Sequence, residues 1–291
     1  MSCFAVLALL AHLATVPELR IEAPAELAGT RTRLESIDPE RLAPIAELTG
    51  LPAPGPPIHI VLADERSDWG RRTPDWIVGL ALGEDAIVLF PARTPAYPHG
   101  SLEDVLRHEI AHVLIARAAG GQPVPRWFHE GLATAAERPW GLRDRTQLVY
   151  ELVTGPRLSL DQIDALFGGD RGARTRAYAL AGRFVRDLLD AHGDGVAAGI
   201  LSRVGDGIPF HAAFAGATGR SLLAAEAEFW ERQRTWTTWF PLLTSTTTLW
   251  VVIMLLALYA VRRRRQTRAE QRRRWDEERG VEAEGDRGGD D

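Results

Sequence analysis

The sequence predicts an α+β protein, with a mixed strand and helix first half, a helical second half, and one membrane helix after them. Three observations carry this reading. Short apolar runs bounded by turn residues fall at 58–62, 75–82 and 86–90. From Ser101 onward, apolar residues recur at helical spacing between capping residues and glycines. A last apolar run, 242–261, ends in a block of arginines. At 291 residues and 45% hydrophobic content, the chain has material for one large or two small domains with appendages.

In order, Phe4 to Val16 is apolar and is closed by Pro17. It reads as the core of an export signal over 1–18, although a basic start and a small-x-small cleavage site are absent. Leu19 to Glu22 reads as a strand. Thr30 to Thr49 is helical, restarting at Asp38-Pro39, where Asp caps and Pro suits the first turn; Gly50 ends it. Residues 52–57 form a stiff Pro-rich connector. Ile58 to Leu62 is a strand, and His59 reads as a strand residue rather than a ligand. Asp75 to Leu82 and Ala86 to Phe90 form two strands about the turn Gly83-Glu84-Asp85. A strand there offers an edge on which an extended peptide would pair by strand addition.

The next helix carries His108-Glu109-Ile110-Ala111-His112. Ser101 caps it, Glu103 and Asp104 suit its positive end, and Gly120-Gly121 stops it. Residues i and i+4 share a helix face, so His108 and His112 present two imidazoles to one metal ion. Glu109 sits one step round, where its carboxylate reaches a metal-bound water. This is the H-E-x-x-H pattern of zinc sites. Such a site needs a third protein ligand. Glu130, in Arg126-Trp127-Phe128-His129-Glu130-Gly131-Leu132-Ala133, is the best candidate, and His129 is its rival. The metzincin spacing is excluded, because its glycine would fall at Ile115 and its third histidine at Ala118.

Beyond these segments, helices are expected at Thr146 to Thr154, Ser159 to Phe167, Arg176 to His192, Val196 to Arg203, Pro209 to Ala215 and Ser221 to Arg234, with a loop from Gly168 to Arg174. Leu242 to Val261 reads as a transmembrane helix, flanked by Trp236, Trp239 and Phe240. The arginines from Arg262 place the following tail, 262–291, in the cytoplasm by the positive-inside rule, and its Glu-, Asp-, Gly- and Arg-rich composition predicts disorder. The domain over 19–235 is then expected outside the cytoplasm, on the periplasmic side of a cell membrane crossed once.

The net charge of −5 argues against a nucleic-acid partner. All 34 basic residues are arginine, which reflects composition bias more than phosphate binding. Cysteine is confined to Cys3, so the domain has no disulfide, and any zinc is held by His and carboxylate.

His108-Glu109-Ile110-Ala111-His112, followed from Pro125 by P-R-W-F-H-E-G-L-A, resembles the gluzincin metallopeptidases, and most closely the peptidase MA-like domain family. The resemblance spans roughly Leu19 to Arg234. Seventeen residues lie between His112 and Glu130, one fewer than is usual in gluzincin aminopeptidases. The Gly-x-Met-Glu-Asn strand of those aminopeptidases is absent from 75–90. Thermolysin-like enzymes carry an acid four residues after the ligand glutamate; Thr134 stands there. The resemblance implies a zincin-like fold with one Zn2+ per chain on His108, His112 and Glu130, and Glu109 as general base. It implies peptide or protein substrates. Tyr178 is implied as the oxyanion donor, though it also fits the apolar face of its own helix. The other reading of the same residues is a catalytically silent binding or scaffolding protein at the membrane. Oligomeric state is not encoded in these patterns.

Overall fold

The structure, a computed structural model, describes residues 17–51, 53, 55–243, 250, 253–260 and 262–263, with backbone alone for 234–243. Two compact units divide at Arg234 and Thr235.

In the first unit, β1 (Leu19–Glu22) leads through a short 3-10 turn to helix α1 (Ala28–Glu35). The restart expected at Asp38-Pro39 is a 3-10 turn, Pro39–Arg41, with the Asp38 side chain accepting from the Glu40 amide. Helix α2 (Ala43–Thr49) ends at Gly50 in the left-handed region (φ 65°). Next come β2 (Ile58–Leu62), helix α3 (Asp68–Arg72), β3 (Gly79–Leu82) and β4 (Ala86–Leu89). All later described elements are helices: α4 (Leu102–Ala118), α5 (Arg126–Glu137), α6 (Leu142–Thr154), α7 (Leu160–Leu166), α8 (Arg171–His192), α9 (Gly195–Gly205), α10 (Phe210–Thr218) and α11 (Leu222–Leu243).

The sheet order is β1-β2-β4-β3. β1, β2 and β4 run parallel, and β3 runs antiparallel to β4 at one edge. Alternation sorts β2: Ile58, Ile60 and Leu62 are buried while His59 faces outward, as a strand residue. The inward face joins Ile87, Leu89 and the α4 residues Val105, Leu106, Ile110, Val113 and Leu114 in one core, continued by Trp127, Phe128, Leu180 and Val185. Each such fully buried side chain contributes about 1.5–3 kcal/mol.

Three expected starts need correction, and one helix was not expected. α6 begins at Leu142, not Thr146, with Asp144 accepting from the Gly141 amide at 2.9 Å. β3 begins at Gly79, not Asp75, because the buried Arg93 guanidinium claims the preceding turn. It donates to the carbonyls of Pro74 (2.9 Å) and Ile77 (2.7 Å) and pairs with Glu65 (2.8 Å). α8 begins at Arg171, not Arg176, because Asp170 caps it, accepting from the Ala173 amide at 2.8 Å. α3 went unread, although Ser67 caps it at 3.0 Å.

All but residues 17–18 of the expected export signal, 1–18, lies outside the described residues, and so does nearly all of the 262–291 tail. Of the expected span 242–261, residues 242–243, 250 and 253–260 are described and helical. Among the described residues, no helix is long and apolar enough to cross a membrane.

Candidate metal centre

α4 is fixed first by its own sequence. Ser101 Oγ accepts from the Asp104 amide at 3.1 Å, and Gly120 and Gly121 take positive φ after its last turn. The helix packs along β3 and β4 and against α2, α5 and α9. This buries His108 (2% exposed) and Glu109 (6%) instead of presenting them to solvent.

α5 has no side-chain cap of its own at Pro125. Asp164 of α7 supplies one, its two oxygens accepting from the amides of Arg126 and Trp127. Trp127 and Phe128 then anchor the first turn. Trp127 packs against Phe184 (centroids 5.0 Å apart) and Phe210 (5.9 Å), and Phe128 against Phe210 (5.2 Å). With that turn fixed, Glu130 faces α4. At Gly131 a Cβ would stand 2.6 Å from Val185 Cγ2 and 2.7 Å from the Ala181 carbonyl. The glycine therefore permits the close crossing of α5 and α8.

The result is a convergence of three donors. Glu130 Oε2 lies 3.3 Å from His108 Nε2 and 3.5 Å from His112 Nε2. Ligand atoms about 2.0–2.1 Å from a tetrahedral zinc would stand about 3.3–3.4 Å apart, so the residues fit the ion. His129, the rival ligand, lies outside this set. Its ring tilts over that of His112 (4.5 Å between centroids) and hydrogen-bonds the His112 backbone. Burial, then the neighbouring His112, pushes the His129 pKa down to about 3, which keeps the ring neutral.

Charge in the cluster is tightly coupled. Burial disfavours a charged His108, but the carboxylates of Glu130 and Glu137 outweigh it and push its pKa up to about 10. Burial works against a charged Glu130 too, yet the histidines hold its carboxyl well below the usual range. A cation is what this arrangement favours at its centre.

The Glu109 carboxylate meets the sheet. Its Oε2 accepts from the Ala81 amide at 2.8 Å. Phe90 N donates to Val78 O, so the antiparallel ladder turns the amides and carbonyls of Gly79 and Ala81 to the outer edge of β3. A Cβ on Gly79 would stand 2.8 Å from both Cγ and Oε1 of Glu109. The missing side chain is what lets strand and carboxylate lie together.

Tyr178 of α8 is half-buried, its ring 6.2 Å from that of His108 and its hydroxyl within hydrogen-bonding reach of Glu130. Burial, then the charges of Glu130 and Glu109, raise its pKa well above the ordinary value, so the hydroxyl remains a donor.

Two further residues meet the centre unannounced by the sequence. Glu137, whose side chain is fully buried, has Oε2 3.0 Å from His99 Nδ1 and 3.3 Å from His108 Nδ1. The contact with His108 is at ion-pair distance but off the line of a well-aligned hydrogen bond. Glu137 stands seven residues after Glu130, two helical turns on, and that spacing was the available signal. Nothing near His99 in the sequence pointed to it. Thr134, at the position where thermolysin-like enzymes carry an acid, is buried with its hydroxyl unpartnered. No protein-family model, curated protein or solved structure matches this chain.

Proposed function

We propose that the chain is a membrane-anchored zinc metallopeptidase with His108, His112 and Glu130 as ligands. The observation that carries the reading is the approach of one Glu130 oxygen to the Nε2 atoms of His108 and His112, at 3.3 and 3.5 Å, the spacing of ligands on one tetrahedral zinc. The membrane anchor rests on the apolar C-terminal run: Ile253, Met254, Leu255, Leu256, Leu258 and Tyr259 are exposed, and Arg262 and Arg263 follow.

Zinc, when bound there, would lower the pKa of a water to about 7 and polarise a carbonyl oxygen. The chain's own groups do the rest. With Oε2 held by Ala81, Glu109 keeps Oε1 to take the proton of the attacking water and pass it to the leaving amine. Tyr178, held in its protonated form, donates to the developing oxyanion. The outward groups of Gly79 and the Ala81 carbonyl receive the extended peptide backbone by strand addition.

A quenched-fluorescence peptide library, offered to the full chain with and without chelator, tests the reading. Cleavage abolished by chelator and restored by zinc supports it. A zinc-loaded chain that cleaves nothing would instead favour a silent binding protein. The edge strand has its own test. Ala81→Pro removes one outward amide, at a position where an edge strand tolerates proline. A hydrogen bond to a charged group is worth about 1.5–3 kcal/mol, so turnover is expected to fall about tenfold or more with zinc content unchanged. Unaltered turnover would mean that Ala81 does not aim Glu109.

A further inference from the structure

We propose that Glu137 and His99 are positioning residues of the metal centre: Glu137 holds ligand His108 by its far nitrogen, and His99 holds Glu137. The inference rests on the metal reading above and concerns how this chain supports it.

The geometry is specific. One face of α5 presents Glu130 to the Nε2 side of His108 and, two turns on, Glu137 to the Nδ1 side. An ionised carboxylate only accepts hydrogen bonds, so a histidine nitrogen facing it carries the proton. Nε2 faces the Glu130 carboxylate in the same way, and an ion entering there would replace its proton and leave the Nδ1 proton directed at Glu137. The same Glu137 oxygen accepts a hydrogen bond from His99 Nδ1 at 3.0 Å. The ring of His99 stands edge-on to that of His108, with centroids 4.7 Å apart. Glu137 is thus fixed from two sides, and swinging it away from His108 would strand a fully buried carboxylate.

The loop bearing His99 is held as well. Arg138, next to Glu137, donates to the Pro98 carbonyl at 2.9 Å while pairing with Asp144 at 2.6 and 2.7 Å. His99, His108 and Glu137 also form a set of potential metal donors. A second ion there would need the Nδ1 lone pair of His108, and therefore an imidazolate, with neither nitrogen protonated, bridging two ions. The single-metal arrangement requires no such step.

The test uses the full chain, unaltered and as Glu137→Gln and His99→Gln, with zinc affinity measured by chelator competition and the visible spectrum recorded on cobalt(II) loading. Gln keeps the shape of Glu137 and an acceptor oxygen but loses the charge. One metal per chain is expected, bound about 10- to 100-fold more weakly in Glu137→Gln, with a shifted cobalt spectrum. A smaller loss in the same direction is expected for His99→Gln. Should Glu137→Gln fail to fold, His99→Gln decides by the same two readouts. One metal bound with unchanged affinity and spectrum in the folded variants overturns this proposal alone, as do two metals per unaltered chain. An unaltered chain that binds no metal overturns the metallopeptidase reading with it.

Discussion

Glu109→Gln is expected to hold zinc as the unaltered chain does and to lose about 10²–10⁴-fold in turnover, the range a positioned general base contributes. The substitution preserves length and leaves an oxygen for the Ala81 amide, now held at 2.8 Å by Oε2. It removes the carboxylate proposed to take a proton from water. Glu109 is not among the converging donors, so the metal should stay. Zinc content and steady-state kinetics on one cleaved peptide read both effects. Retained turnover would place the base elsewhere. Lost zinc would make Glu109 a ligand.

The second large effect is on stability. Trp127→Ala should destabilise the fold by about 3–5 kcal/mol, the cost of deleting a large buried aromatic with little local collapse. Trp127 is 1% exposed and packs on Phe128, Phe184 and Phe210, from α5, α8 and α10. It also sits three residues before Glu130, so loosening that turn should weaken the metal site along with the fold. Denaturant unfolding of the metal-free chain measures the first effect, and chelator competition the second. A loss below about 1 kcal/mol would show that the turn is held by something other than this aromatic cluster.

The legible parts of the site are those fixed by local geometry. His108 and His112 share a face because covalent spacing on a helix puts them there, and Glu130 followed from a second helix with its own apolar anchors. β2 was readable over its full length because Ile58, Ile60 and Leu62 recur at every second position between turn residues. What escaped the sequence depends on packing between distant segments. Glu137 meets His108 only after α4 and α5 pack together, and His99 arrives on a loop that Arg138 pins. The engagement of Glu109 by Ala81 depends on Gly79 leaving room. The early start of α8 turned on one capping aspartate in a glycine-rich stretch that reads as loop. The role of Tyr178 came from the resemblance; the structure adds its place beside His108 and Glu130.

The most direct test of the central claim is the zinc content of the purified full chain and of Glu130→Ala. The expected result is one zinc per unaltered chain, with affinity in Glu130→Ala falling by more than the about 10- to 100-fold that losing the partner of a ligand histidine costs. A folded chain that binds no zinc, or a Glu130→Ala variant that binds it equally well, would contradict the account.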